Sequence, residues 1–372
     1  MSANDNVKWV RLGDYIELCD ERNSDGKYAV DDVRGISTDK KFIPTKANMD
    51  GVSLSSYKIV NNREFAYVAD TSRRGDKIAL ALNTTSSILI SSIYTTFKSK
   101  DNKELLPEYL FLLLSRSEFD RYARFNSWGS ARETFDWSEL CRVEIPLPDI
   151  NIQKELVDIY NGLKALAEQN EALIEPLSKA CEAFIVDCKA KYPEVILGEY
   201  IEELTEKNKD NLYSKVLGLS TQKEFREPNS RVNKEELTNY KLVPNNCFAY
   251  VPTTDTWKVF ACALNKEETI VVSPIYCVFK INNSNLLSEY LNVLFKPAEF
   301  DRYVRFNSWG SARENFNFGE LCNVRIALPP IKNQQSVINL YNCLEEAKKI
   351  ASEARDKLKE LCPALIQRAA NS

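Results

Sequence analysis

The sequence predicts an α+β chain built by tandem duplication: two similar α/β domains separated by two long helices with the seam of a coiled coil. Three observations predict it. A sixteen-residue block occurs twice, short strand-like apolar runs crowd the segment before each block, and a 3.5-residue apolar period follows each.

The block comes first in the argument. Glu118–Glu133 reads EFDRYARFNSWGSARE and Glu299–Glu314 reads EFDRYVRFNSWGSARE, fifteen of sixteen positions identical at an offset of 181. Downstream, Leu140-Cys141 recurs as Leu321-Cys322, Leu147-Pro148 as Leu328-Pro329, and Gln153 as Gln334. Upstream the offset drifts to 182 at Phe97-Lys98, 183 at Tyr57-Lys58 and Ser37-Thr38, and 185 at Leu12-Gly13. A period of this length means two copies of a whole domain, where 20 to 50 residues would mean a solenoid.

Each copy divides in two. The first part holds strand-like runs such as Ser87–Ile90 and Arg142–Ile145, with a helix near Glu108–Ser115. The second part is helical. Leu156, Ile159, Leu163, Leu166, Asn170, Leu173, Leu177, Ala180 and Phe184 step by three and four; Val337, Leu340, Leu344, Ala347, Ala351, Ala354, Leu358, Leu361 and Leu365 do the same. That is the seam of a coiled coil, although a helix lying on a globular body carries a similar stripe. Pro176 and Pro363 each remove a backbone donor, and they are expected to kink or interrupt the first helix and the second helix near its end, respectively. The expected boundaries are a domain over 1–150, a helix over 151–192, a second domain over 193–330 and a second helix over 331–372.

Composition narrows the function. The chain has 372 residues, 44% of them apolar and 27% charged, enough for two cored domains. Histidine is absent, which excludes a Ser-His-Asp triad, a Cys-His pair and histidine metal ligands. Glycine is scarce, at 11 residues, and no phosphate-binding P-loop occurs. Leu328-Pro329-Pro330-Ile331 lacks the residues of an amino-methyltransferase tetrapeptide. Intrinsic catalysis is not expected. Ten cysteines lie without any Cys-x-x-Cys, several inside apolar runs, and read as reduced, mostly buried thiols. The polar N-terminus has no secretory apolar run and no stretch approaches 18 apolar residues, so a cytoplasmic chain that crosses no membrane is expected.

The repeated block invites two readings. Arg121, Arg124 and Arg132 match Arg302, Arg305 and Arg313, interleaved with Tyr122, Phe125, Trp128 and their counterparts Tyr303, Phe306, Trp309. Arginine offers paired donors to phosphate or guanine, and Asn126 or Asn307 to adenine. Gly129-Ser130 and Gly310-Ser311 would let a phosphate approach the backbone. Alternatively the aromatics pack and the arginines pair with Glu118, Asp120 and Glu133, so that the block specifies the fold. Charge favours binding only weakly. Residues 57–133 are net +3, residues 240–314 net +1, and the helix 151–190 net −3, in a chain of net charge −4. The copies differ most inside a matched frame, between Tyr67-Val68 and Ala81-Leu82-Asn83 and between Tyr250-Val251 and Ala263-Leu264-Asn265. There the first copy has Arg73, Arg74 and Lys77, and the second has Trp257 and Lys258. These are candidates for reading base edges, against the plainer reading of a solvated hairpin.

With its block GSARE…F…EL…V.IPLP at Gly129–Pro148, the variant GSARE…F…EL…V.IALP at Gly310–Pro329, and the glutamines that enter each helix, the chain resembles the specificity subunit of bacterial Type I restriction–modification systems. The resemblance covers essentially the whole chain. It implies two target-recognition domains related by a pseudo-twofold, each reading half of a split site in double-stranded DNA, spaced by two helices that form an antiparallel coiled coil and dock two methyltransferase subunits. It implies adenine methylation with S-adenosylmethionine, and DNA cleavage with ATP and Mg²⁺ once restriction/translocase subunits join. All of these cofactors would sit on partner subunits and none on this chain. Two other readings stay open: the equivalent subunit of a related system whose partner fuses methylation and cleavage, and a protein-binding scaffold that never touches DNA.

Overall fold

The computed structural model describes residues 8–71, 77–130, 132–228, 236–253, 259–310 and 313–371, with side chains described as far as Lys359. The chain divides into two units: Met1–Gln169 with Ile350–Ser372, and Asn170–Lys349.

The first unit runs β1 (Lys8–Arg11), β2 (Ile16–Cys19), β3 (Arg34–Ile36), β4 (Phe42–Pro44), β5 (Lys58–Val60), β6 (Phe65–Tyr67), β7 (Leu80–Leu82), β8 (Ile88–Ile90), β9 (Thr95–Ser99), α1 (Pro107–Leu114), α2 (Ser117–Phe125), α3 (Trp137–Arg142) and β10 (Glu144–Leu147). A four-stranded antiparallel sheet in the order β2-β9-β6-β7 forms its centre, and β1-β10, β3-β4 and β5-β8 pair separately. Alternate residues of β6 face opposite sides, as a pleated strand requires. Phe65 and Tyr67 enter one core with Phe97, Tyr109, Phe119 and Phe135. Ala66 and Val68 enter another with Val60, Ala79, Ala81 and Ile90. Phe65 lies opposite Phe97 in the ladder, and their rings stack at 4.7 Å.

The second unit repeats this. It runs β11 (Glu194–Ile196), β12 (Ile201–Leu204), β13 (Gly218–Leu219), β14 (Phe225–Arg226), β15 (Lys241–Val243), β16 (Cys247–Tyr250), β17 (Cys262–Leu264), β18 (Ile270–Val272), β19 (Cys277–Ile281), α5 (Ser288–Leu294), α6 (Ala298–Phe306), α7 (Phe318–Cys322) and β20 (Arg325–Ala327). Its sheet order is β12-β19-β16-β17, and Phe248 stacks on Phe279 at 4.8 Å.

The recurring dipeptides now have causes. A Cβ on Gly13 would lie 2.7 Å from the Cβ of Cys141, and one on Gly198 would lie 2.8 Å from that of Cys322. The turn after the first strand of each repeat therefore rests directly on the short helix α3 or α7, and only glycine fits. Asn83 donates to the carbonyls of Val60 and Ser86 at 2.9 and 3.0 Å, and Asn265 to those of Val243 and Glu268 at 2.8 and 3.0 Å. Gln153 and Gln334 are wholly buried. The Gln153 Oε1 accepts from Leu106 N at 2.9 Å, and its Nε2 donates to Glu104 and Pro148 carbonyls at 2.8 and 2.9 Å. Gln334 makes the same three bonds, to Leu287, Asn285 and Pro329, at 2.9, 2.7 and 2.9 Å. These glutamines bolt each long helix to its own domain.

The long helices are α4 (Ile150–Lys191) and α8 (Ile331–Asn371). The first half of α4 shares a unit with the last part of α8, and the second half of α4 with the first part of α8. The seam expected on α8 is present, with Val337, Leu344, Ala347, Ala351 and Ala354 buried. On α4 half of it shifts by one residue. Leu156, Leu163, Asn170, Leu177 and Phe184 lie on the covered face as expected, but Ile159, Leu166, Leu173 and Ala180 are exposed. Their C-terminal neighbours Tyr160, Ala167, Ile174 and Cys181 turn inward instead. Each expected position is followed by another apolar residue, so a 3-4 pattern and a 4-3 pattern fit the letters equally; the helix takes the one that seats small Ala167 and Cys181. Neither helix is interrupted at its proline, α4 at Pro176 or α8 at Pro363, so each proline costs one internal hydrogen bond without ending the helix. The nine cysteines with described side chains are free thiols, five of them buried. Among the described residues no helix is long and apolar enough to cross a membrane.

Candidate nucleic-acid interface

Three segments meet at one end of the first unit's sheet. The register places Tyr67 at the end of β6 opposite Thr95 at the start of β9 and Leu80 at the start of β7. The β6–β7 connection, the turn before β9 and the repeated block therefore share that end. The upstream stem of the connection is tied to the block: Thr71 N donates to Glu133 O at 3.0 Å, and Phe135 N donates to Ala69 O at 2.8 Å. The second unit matches, with Phe316 N donating to Pro252 O at 2.8 Å and Thr253 bridging to Asn315.

Within the block, α2 ends at Asn126, whose side-chain amide donates to Tyr122 O at 2.9 Å; Asn307 does the same to Tyr303 O at 2.8 Å. The chain then closes a hairpin in which Trp128 and Thr134 exchange backbone hydrogen bonds of 3.1 and 3.0 Å. Gly129 has φ 138° and Gly310 φ 145°. A Cβ at either would lie 2.1 Å from the carbonyl oxygen of Arg132 or Arg313. This corrects the expectation for these glycines: the space they leave is filled by the chain's own carbonyl, not held open for a phosphate.

Burial separates the block's residues. Phe119, Ala123 and Ser127 are buried and belong to the frame. Phe125 and Trp128 are 79% and 62% exposed, and Phe306 and Trp309 are 81% and 64% exposed. Arg124 pairs with Glu133, and Arg305 with Glu314 at 3.7 Å. Arg121 and Arg302 pair within their helices with Glu118 and Glu299 at 3.6 and 2.6 Å. Backbone donors at its helix N-terminus and the neighbouring Arg116 hold the Glu118 carboxyl below its ordinary range. Arg132 and Arg313 are exposed at the hairpins, with no ion-pair partner among the described residues. Asp120 does not pair with a block arginine; it pairs with Lys40 at 2.6 Å, both side chains buried.

Of the residues singled out in the β6–β7 and β16–β17 connections, Arg73, Arg74, Trp257 and Lys258 lie outside the described residues. Lys77 is exposed at the downstream stem and lines a cleft with Thr38, Lys40, Asp120, Tyr160 and Arg355. Two features escaped the sequence reading. Ile93 and Ile275 stand 74% and 69% exposed on the turns before β9 and β19; the recurrence of Ile93-Tyr94 as Ile275-Tyr276 was their only signal. Lys40 and Lys223 are buried lysines, marked in sequence only by following the recurring Ser37-Thr38 and Ser220-Thr221.

Residues 6–178 match the model of the Type I restriction modification DNA specificity domain. A comparison with curated proteins finds no match. Among solved structures, the chain is similar to the Type I restriction–modification S subunit of M. genitalium, with TM-score 0.60, 10% identity, and 99% of this chain and 98% of that one covered. A specificity subunit from Thermoanaerobacter tengcongensis aligns with TM-score 0.39 and 15% identity over 99% of this chain and 97% of that one. The family match spans the first repeat, and the second repeat reproduces its block at fifteen of sixteen positions and its sheet order. Residues 6–178 thus carry a match to the Type I restriction modification DNA specificity domain, and the chain as a whole shares the fold of a Type I S subunit.

Proposed function

We propose that this specificity chain reads a bipartite target in double-stranded DNA, one half through each unit, and holds two methyltransferase subunits, with restriction subunits joining a larger assembly. One observation carries the reading. Two surfaces with the same exposed arginine and aromatic residues stand beside two connections of different sequence, Asp70–Lys77 and Thr253–Val259. Identical side chains suit what both half-sites share, the sugar-phosphate backbone. Sequence must then be read by what differs. Arg124, Asn126, Arg132, Arg305, Asn307 and Arg313 accordingly take the first role, and Arg73, Arg74, Lys77, Trp257 and Lys258 the second. The recognition domains are 1–150 and 193–330, with 151–192 and 331–372 as spacers. The exposed Ile159 and Leu166 on α4, seven residues apart on one face, supply an apolar strip for a partner helix. As the recognition component the chain performs no catalysis; S-adenosylmethionine, ATP and Mg²⁺ belong to its partners, in the cytoplasm where the target DNA lies.

The test is a transplant. Residues 70–77 are replaced by 253–259, the chain is co-expressed with its methyltransferase partner, and methylated adenines are mapped. The first half of the motif changes and the second does not. An unchanged motif refutes the assignment of these connections as readers.

A further inference from the structure

Lys40 sits in the turn between β3 and β4, and Lys223 in the turn between β13 and β14, each in the left-handed region with φ 58° and 63°. Both ammonium groups point into protein. Lys40 Nζ reaches Asp120 Oδ1 at 2.6 Å and donates to Leu114 O at 3.0 Å, with side-chain exposures of 7% and 9% for the pair. Lys223 Nζ reaches Asp301 Oδ1 at 2.7 Å and donates to Phe295 O at 2.6 Å, with 5% and 15% for the pair. The same carboxylate oxygen has a second donor. Ile78 N reaches Asp120 Oδ1 at 3.2 Å, and Phe260 N reaches Asp301 Oδ1 at 2.9 Å.

Ile78 and Phe260 are the residues on which the copy-specific connections rejoin the sheet. The upstream stem of the first connection is fastened to Glu133 of the shared block, and the downstream stem to Asp120 of the same block. Three segments whose offsets between copies are 183, 182 and 181 thus converge on one carboxylate in each unit. Stability alone does not account for this. Desolvating two charges costs several kcal/mol per ion, and well-packed apolar replacements of buried pairs are often as stable. What an ion pair adds is a fixed direction and distance, and here it fixes a stem.

We infer that Lys40–Asp120 and Lys223–Asp301 are positioning pairs for target reading, each locking the downstream stem of a copy-specific connection onto the helix that carries the shared block. The inference rests on the reading that these connections meet the bases. Lys40 and Asp120 themselves touch no DNA in this scheme, so their loss acts through placement of the stem.

The experiment uses the full chain co-expressed with its methyltransferase, with thermal melting of the complex and genome-wide mapping of methylated adenines. In Lys40→Met/Asp120→Leu the pair is replaced by apolar groups of similar size. The melting transition survives, and the preference for the first half-site falls at least tenfold while the second half-site is read as before. Lys223→Met/Asp301→Leu gives the mirror result. A cooperative melt with an unchanged motif overturns the inference. If the double variant loses its transition, Asp120→Asn is read by the same criterion, since it removes the charge but keeps an acceptor: a relaxed first half supports the pair, an unchanged motif overturns it. The transplant of residues 70–77 runs alongside. If it leaves the motif unchanged, the reading of the connections fails; if it moves the motif while the pair variants do not, only the positioning role fails.

Discussion

Arg132→Ala and Arg313→Ala separate backbone contact from base reading. Both guanidinium groups are exposed and free of carboxylate partners among the described residues, whereas Arg124 and Arg305 beside them are held by Glu133 and Glu314. If each free arginine neutralises one phosphate, each substitution flattens the slope of log K against log salt by about 0.9. Raising salt from about 50 to about 200 mM then weakens the wild-type complex roughly 3.5-fold more than either single variant, and roughly 12-fold more than the double. The effects add because the two sites share no side-chain partner. The assay is fluorescence anisotropy of the methyltransferase complex on labelled duplexes, titrated at several salt concentrations, with specific and scrambled targets. Both targets lose affinity by the same factor. If Arg132→Ala leaves the salt slope intact but equalises the two targets, the residue reads a base and the division between shared and copy-specific residues is wrong.

Three further outcomes follow from named contacts. Glu133→Gln releases Arg124, steepens the salt slope and tightens binding to any duplex; the exposed pair is worth at most about 1 kcal/mol, so the melting temperature stays within about 3 °C. Gln153→Leu strands the Leu106 N–H and the Pro148 carbonyl in the core, at about 1–3 kcal/mol for each buried orphan, which calorimetry detects as a drop of roughly 5–15 °C; Gln334→Leu repeats it, and two silent variants would show that the long helices are not held at these points. Alkylation at pH 8 modifies exposed Cys343 and spares Cys19 and Cys277. Burial and the nearby Glu64 push the Cys19 thiol up to about 12, and burial with Glu203 pushes Cys277 to about 12; as both remain protonated thiols below that pH, peptide mapping finds them labelled only above it or after unfolding.

The frame was legible in the sequence because it is written twice. Leu12-Gly13 and Leu140-Cys141 recur as the two sides of one contact that only glycine fits, and Asn83 and Gln153 recur as buried amides that answer backbone groups. The long helices were legible from their 3.5 period, but the phase on α4 was not. Ile159-Tyr160, Leu166-Ala167 and Leu173-Ile174 offer two apolar residues where the seam needs one, and only the packing partner decides between them. The lysine–aspartate pairs recur too, but their pairing was not legible, since nothing in the letters tells a buried lysine from a solvated one.

The sixteen-residue block shows where recurrence stops being informative. Recurrence alone supports fold and function equally, because residues that fill a core and residues that grip a common ligand are both kept in two copies. Burial divides them. Phe119, Asp120, Ala123 and Ser127 are enclosed, and the Ser127 hydroxyl donates to Ala123 O at 2.6 Å as Ser308 does to Val304 O at 2.6 Å. Those residues are accounted for by the hairpin and the helix they build. Phe125, Trp128 and Arg132 are accounted for by neither, since a solvated face tolerates almost any polar residue and gains nothing from large aromatic rings. Their identity with Phe306, Trp309 and Arg313 fits the proposal that both units meet something outside the chain in the same way. On the proposed reading a two-part DNA target supplies it, for its phosphate backbone repeats where its bases do not.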